Sequence, residues 1–560
     1  MSLNRRFRSG IWMSALAWGA AGLCLLPIVA VALAALTGGL ETVTSLAETV
    51  LPRYARATAL MVLIVATGTA IIGTGTAWLV TMTRFPGRRV LEIALALPLA
   101  FPAYVLAYAY TDFLDHPGWV QTTLRDLTGW GPRDYWFPEI RSLTGAALML
   151  MLVLYPYVYL LARAAFLQQS ATAYIAARTL GHGPWSAFFR ISLPVARPAI
   201  AGGVLLTIME TIADFGTVSY FNVQTFATGI YQSWFSFADR SAAAQLALVL
   251  LGVALLLAAL ERAQRSRQRH HGAGRRFERM EPPRLTGYRA ALALAFCATP
   301  VLLGFLLPAG LLLWMGWGSG QLILTERYLG FLQNSVTLAS VAALVTVAAA
   351  VLLGFNARLH PTRANRTAIA IGGLGYAVPG GVIAVGLMVP FAAFDNALDA
   401  WMRATFDIST GLLLTGSIWL LVAAYTVRFM AAALSAYDAG LSMINPNIDA
   451  VARTLGRSPS TMLRGVHLPI LRPSLLTALL IVFVDVMKEL PATLIMRPFN
   501  YDTLAVQAHR LAADERLAQA AVPSLVIGAV GLLPVIVLCW SLGRSDRTEA
   551  NFVPDPVAAD

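Results

Sequence analysis

Charge is scarce in this chain. Asp, Glu, Lys and Arg make up 12% of the 560 residues while 58% are hydrophobic, and the mean hydropathy is +0.66; soluble domains carry about a quarter charged residues. That balance excludes an ordinary soluble domain and points to a chain whose solvent is lipid. Cysteine is nearly absent as well. Cys24, Cys297 and Cys539 each fall inside an apolar stretch, which excludes a disulfide framework and cysteine metal-ligand spacing. No GxxxxGK[ST] phosphate loop occurs, so this chain does not cradle ATP by that route. No cofactor is expected in it. The few intramembrane acids come without a nucleophile-and-base arrangement, so an intramembrane enzyme finds no support.

What fills the chain instead is hydrocarbon. A span needs about 20 mostly apolar residues, and twelve such stretches can be marked, among them 90–111, 198–220, 367–392, 412–434 and 473–495. The first, 11–37, is too long for the roughly 7–15-residue apolar core of a cleavable signal and is read as helix one. The net charge is +12, but its placement matters more than its size. If helices alternate, the arginine-rich segments before helix one and after helices two, four, six and eight share one side. The positive-inside rule puts that side, both termini and the linker in the cytoplasm. The basic charge reports topology, and no nucleic acid is implied.

The chain is also written twice. "ARTLGHGPWSAFFRISLPVARP" begins at Ala177 and "ARTLGRSPSTMLRGVHLPILRP" at Ala452, a constant offset of 275, with ten identities in the 25 positions from 176 to 200. The same or nearly the same offset relates "ALPLAFPAYVLA" to "GLGYAVPGGVIA" and "FNVQTFA" to "FNYDTLA". This is a tandem duplication. Six spans per copy give both halves one orientation, about an axis along the membrane normal. The expected fold is an all-α membrane protein of about twelve transmembrane helices in two tandem homologous six-helix halves. The first half covers 1–262, a basic cytoplasmic linker 263–288, the second half 289–545 and a cytoplasmic tail 546–560. His270 and His271 in the linker are read as part of a solvated charge run.

Each copy of the repeated loop, about 170–198 and 445–473, reads as two short helices. Gly181 and Gly456 stop the first with a left-handed turn. Pro184 and Pro459 open the second at its first helical position, with Ser458 as the capping residue in the second copy. Phe188 and Ile191, matched by Leu463 and Val466, put apolar groups on one face. Those groups either pack on the protein's own loop face or enter the groove of a partner that is itself two-fold symmetric.

The loop resembles the "EAA…G…LP" segment of permease subunits in binding-protein-dependent ABC importers. Gly181 and Gly456 stand at that family's central glycine, Pro194 and Pro469 at its closing proline, within a frame that also holds Ala177 and Ala452. The resemblance implies the type I importer permease fold, a bacterial inner-membrane location, a homodimeric ABC ATPase docked on the two loops from the cytoplasmic side, and a periplasmic substrate-binding protein on the outer loops near 221–242 and 497–520. The family's glutamate is missing from both copies: Ile175 and Ala450 stand in its place, with Asp449 one position earlier. "ADFGTVSYF", "TFATGIYQSWF", "KELPAT" and "RPFNYDTLAV" are similar to the fused permeases of ferric iron importers, which implies ferric iron, free or chelated, as cargo. Thiamine and phosphonate importers share the architecture. An ion-gradient-driven secondary transporter also has twelve spans in two parallel halves, but has no use for a pair of ATPase sockets.

Glu210 aligns with Asp485 and Asp214 with Glu489 at the same offset. Read as continuous helix, each half presents two carboxylates at i and i+4, on one face. Each ionisable group at mid-membrane costs about 2.5–3.5 kcal/mol on insertion scales, so the four must face the interior. Two roles stay open: a scaffold that neutralises Lys488 and bonds freed backbone near Gly216 and Pro491, or a weakly binding path for a hard cation. Tyr104, Tyr108 and Tyr110 are secondary candidates for the lining. Arg163 and Arg428 are read as snorkelling at helix ends.

Overall fold

The computed structural model describes residues 2–167, 183, 186, 188–269, 283–320, 325–442 and 444–550. Among them the chain is helical, with no strand beyond one isolated bridge between Arg84 and Arg284. The first half runs α1 (Ser2–Thr37), α2 (Leu51–Met82), α3 (Arg88–Ala94), α4 (Ala103–Leu114), α5 (Leu143–Leu167), α6 (Leu193–Ala213), α7 (Gly216–Tyr220) and α8 (Arg240–Arg269). The second runs α9 (Gly287–Gly318), α10 (Glu326–Leu359), α11 (Arg363–Gly372), α12 (Gly380–Phe406), α13 (Ile418–Leu441), α14 (Pro446–Thr454), α15 (Leu468–Lys488), α16 (Pro491–Met496) and α17 (Leu517–Ala550).

Eleven described helices are long and apolar enough to cross a membrane, or twelve if the pair Arg88–Ala100 and Ala103–Thr128, bent by 92°, counts as one span. The expected spans 90–111 and 367–392 are therefore not straight helices. A 3₁₀ turn interrupts each, Leu97–Ala100 in the first half and Gly375–Ala377 in the second, and the chain restarts after an extended residue, Phe101 (ψ 137°) or Val378 (ψ 120°). The cause is proline. Pro102 and Pro379 push the residue before them out of the α region and cap the helix that follows.

The spans drawn at 198–220 and 473–495 break in the same paired way, after Ala213 and after Lys488, before the short helices α7 and α16. Duplication also repeats the turns that need left-handed backbone: Asn222 (φ 55°) with Asn500 (φ 60°), and Ala238 (φ 52°) with Glu515 (φ 58°). The two halves interlock through their first helices. α1 packs on α10 and α12 of the other half, where the Ser14 hydroxyl donates to Asn356 Oδ1 at 2.8 Å. α9 reaches back so that Phe305 meets Phe101 with ring centroids 5.5 Å apart. The broken helices and the carboxylates they carry are thereby held at the centre of the bundle.

Candidate functional site

Two groups of residues carry chemistry: a charged cavity at the centre and the duplicated loops at one end. The helix breaks explain the first. Asp214 and Glu489 are not helical residues one turn beyond Glu210 and Asp485, as the i, i+4 reading requires. Both sit at the helix C-termini in extended backbone, with ψ 131° and 128°. There they do what a capping residue does. Asp214 Oδ1 accepts from the N–H groups of Thr217 and Val218, each at 3.2 Å, and Oδ2 from the Thr217 hydroxyl. Glu489 accepts from the N–H groups of Ala492 at 2.9 Å and Thr493 at 3.0 Å, and from the Thr493 hydroxyl at 2.7 Å. Each thus satisfies the backbone that a broken span exposes, which in a membrane must be done internally.

Glu210 and Asp485 bond no backbone N–H among the described residues. Together with Tyr104, Tyr157, Tyr376, Arg428 and Lys488, they line a central cavity of about 170 Å³. Lys488, the only lysine in the chain, lies 3.3 Å from Asp485. A second cavity of about 730 Å³ starts from Asp485 and Lys488 and reaches Glu261, Arg262, Arg366 and Asp438, at the end of the bundle that carries the duplicated loops.

Contacts between the halves close the opposite end. The Tyr104 hydroxyl donates to the Lys488 carbonyl at 3.3 Å, and the Tyr108 hydroxyl bonds His509 Nδ1 at 3.0 Å. Farther out, Arg141 joins Asp115 at 2.9 Å and grips both oxygens of Glu515 at 2.6 and 2.8 Å. The hydrogen bond from Arg141 holds the Glu515 carboxyl below its ordinary value. Of the three tyrosines, Tyr104 lines the cavity, while Tyr110 donates to the Leu303 carbonyl at 2.6 Å, away from the cavity lining.

Arg428 overturns its sequence reading. It stands mid-way along α13, on the cavity wall rather than at a snorkelling depth. Arg163 is engaged too, its Nε bonding Glu92 at 3.0 Å. The outer segments that follow α7 and α16 also differ from open loops. They fold as buried helices, Phe226–Phe235 and Leu504–Ala513, and leave Phe237 and Phe499 exposed.

In the duplicated loops, Ala177, Gly181 and Pro184 lie outside the described residues. The second copy is visible. α14 ends in a Schellman turn: Arg457 N–H bonds the Ala452 carbonyl and Gly456 N–H the Arg453 carbonyl, both at 3.0 Å, with Gly456 at φ 69°. Ser458 then caps the next helix, accepting from Thr461 N–H at 3.2 Å, with Pro459 at its first position. That helix does not stop at "LP…RP". A wide turn over Leu463–His467, in which Leu468 N–H reaches the Leu463 carbonyl, carries it into α15. Pro469, directly after the wide turn, has no N–H to place there, and the helix continues past it, with Pro473 inside α15. The first copy does the same over Phe188–Ser192, just before Pro194.

The apolar residues singled out in the sequence partly turn inward. Phe188 is buried against Trp78, with centroids 4.9 Å apart; Leu463 packs beside Met462, Ala452 and Phe355, and Ile191 and Val466 are half-buried. The exposed apolar row is a different one: Ile448 and Val451 on α14 with Leu455 just past its end, at i, i+3 and i+7. Its helical spacing was the signal in the sequence.

Asp449 holds that helix in place. Its carboxylate accepts from Arg358 Nε and, at 2.8 Å, from His467 Nε2, while Arg358 Nη2 donates to the Ile444 carbonyl at 3.0 Å. Burial pushes the Asp449 carboxyl up, but the hydrogen bonds from Arg358 and His467 outweigh it and leave it below its ordinary value. A depressed carboxylate contributes stability above its unfolded value and loses it as pH falls through the folded one. At the 275 offset the first half has Tyr174, Thr83 and Ser192 at these positions, so this ionic clamp belongs to one half alone. Asp449→Asn should cost about 3 kcal/mol, the usual penalty for stripping one partner from a buried pair. A lowered unfolding midpoint at neutral pH, narrowing towards the parent protein's in acid, is the expected calorimetric result.

Residues 69–270 match the family described as binding-protein-dependent transport system inner membrane component. The chain is 26% identical to the Fe(3+)-transport system permease protein FbpB 2 of Haemophilus influenzae over 485 residues, 86% of this chain and 88% of that one. It is 29% identical to the molybdenum transport system permease protein ModB of Escherichia coli over 186 residues, 32% and 78% of the two chains. It is 34% identical to the putative 2-aminoethylphosphonate transport system permease protein PhnV of Salmonella typhimurium over 127 residues, 23% and 48%.

Proposed function

Starting from a chain that belongs to the inner-membrane permeases of binding-protein-dependent transport systems, we propose that it is the two-in-one permease of an ATP-driven importer for ferric iron. The fold is that of type I importer permeases, and such a permease works with an ATPase and a soluble binding protein. In our reading a homodimeric ATPase binds and hydrolyses ATP on the cytoplasmic side, with one subunit under each duplicated loop and the Ile448, Val451 and Leu455 row seated in its groove. A periplasmic binding protein delivers the cargo at the Arg141–Glu515 end, and both termini lie in the cytoplasm.

The observation that carries this reading is the path itself. A cavity runs from the central carboxylates to the loop end, while bonds between the halves close the other end. That is the inward-open half of an alternating-access cycle. The iron assignment is supported by a relative that matches most of both chains. The test is reconstitution in vesicles with its partner ATPase and binding protein. ATP-dependent accumulation of ferric iron is expected, with none when the ATPase is omitted. Uptake driven by an ion gradient alone would sink the reading.

A further inference from the structure

The central cavity is not built for a bare cation. Among the described residues no three His, Cys, Asp or Glu side chains come together closely enough to hold a metal ion. Two of the four central carboxylates are occupied by backbone N–H groups. What the cavity offers instead is a cation. The Arg428 Nη1 atom is buried and has no hydrogen-bond partner, although Arg428 lines the cavity and a guanidinium carries five donors. Leaving such a donor unpaired is costly, so the position implies a visiting acceptor.

Gly380 packs against the same guanidinium. A Cβ there would lie 3.0 Å from Arg428 Nη1 and 2.7 Å from Glu489 Oε1, so a side chain at this position would push Arg428 from its place on the cavity wall. The pattern of duplication adds an independent reason. The carboxylates recur at the 275 offset, but Arg428 stands opposite Val153 and Lys488 opposite Ala213. The two cations are additions on one side of a cavity whose acids are shared, and a symmetric scaffold would not need them.

We propose that Arg428 is an oxyanion subsite of the central cavity, so that the cargo crosses as a metal ion carrying an oxyanion ligand such as a hydroxycarboxylate or phosphate. The guanidinium takes the oxyanion's oxygens, a geometry that arginine matches with paired donors. Glu210 and Asp485 face the cationic part of the same complex. The nearly neutral complex spares the path both a desolvated trivalent ion and a tight metal site that would not let it go. This rests on the iron reading for the metal but not for the anion.

The test uses the full chain in detergent, titrated with inorganic phosphate and separately with citrate against chloride, at fixed pH and ionic strength. Both anions are expected to raise the unfolding midpoint of the parent protein. Arg428→Gln should need at least about tenfold more anion for the same shift, the loss of one charge-assisted contact, and Arg428→Lys should fall between them. Gly380→Ala presses on Arg428 without changing charge and should weaken the response similarly, which decides the matter if Arg428→Gln folds poorly. An equal response in parent and variants, or none in the parent, overturns the subsite. Transport separates the two readings. Ferric citrate passing at parental rates through Arg428→Gln would remove the subsite and leave the iron reading. An Arg428-dependent anion response in a reconstituted importer that moves no ferric citrate would do the reverse.

Discussion

Gly456→Val should abolish transport while leaving the protein inserted in the membrane. Gly456 sits at φ 69° at the end of α14, where its N–H and that of Arg457 close the turn. A β-branched residue is a genuine outlier in that region, and such strain costs about 1–3 kcal/mol. The bilayer-spanning helices do not depend on this turn, but the direction in which Ile448, Val451 and Leu455 project does. The expected readout is an unchanged amount of protein in the membrane fraction, with loss of ATPase co-purification and of uptake. Gly456→Asn, which tolerates left-handed backbone better than other side chains, should retain part of both. Normal coupling in the valine variant would show that the loop carries no work. Gly181 stands at the same place in the first copy of the repeat, and the same loss is expected there.

That turn could be read from the sequence because its frame is local: a glycine, a serine-proline start and a closing proline at fixed spacing. The duplication and the spans were legible for a similar reason, since both are properties of composition and offset. The centre of the molecule was harder to read. Hydropathy runs unbroken through "ALPLAFPAYVLA", so a window of about 20 residues sees one span where Pro102 makes two pieces. Asp214 and Glu489 were placed a turn beyond Glu210 and Asp485 on a helix that stops at Ala213 and Lys488. Pro491, two positions after Glu489, was the visible warning in the second half. Arg428 was lost to a boundary error. With the span drawn as 412–434 it falls near an end, whereas the helix runs Ile418–Leu441 and places it in the middle. The role of Asp449 could not be read locally at all, because its partner Arg358 lies 91 residues away and the two meet only in the folded chain.

Neutralising Glu210 and Asp485 together, as Glu210→Gln with Asp485→Asn, should cut ferric iron uptake by at least about tenfold while leaving ATPase association unchanged. The two are the central carboxylates that no backbone N–H engages, and both face the cavity. Close charge pairs at an effective dielectric of about 20 interact by about 4 kcal/mol, so the loss of two acids is more than enough for a tenfold effect on a cationic centre. The fold should tolerate the change. The ion pair it breaks, Lys488 with Asp485, is 24% and 32% exposed at its side chains and worth at most about 1 kcal/mol. Asp214→Asn and Glu489→Gln are the informative contrast. Those side chains cap α7 and α16, and replacing a charged acceptor by a neutral one should lower stability by about 1 kcal/mol before any effect on passage can be read. If uptake instead survived the Glu210 and Asp485 double variant and failed only in the capping variants, all four carboxylates would belong to the scaffold, and the path would have to recognise its cargo through Arg428 and the tyrosines.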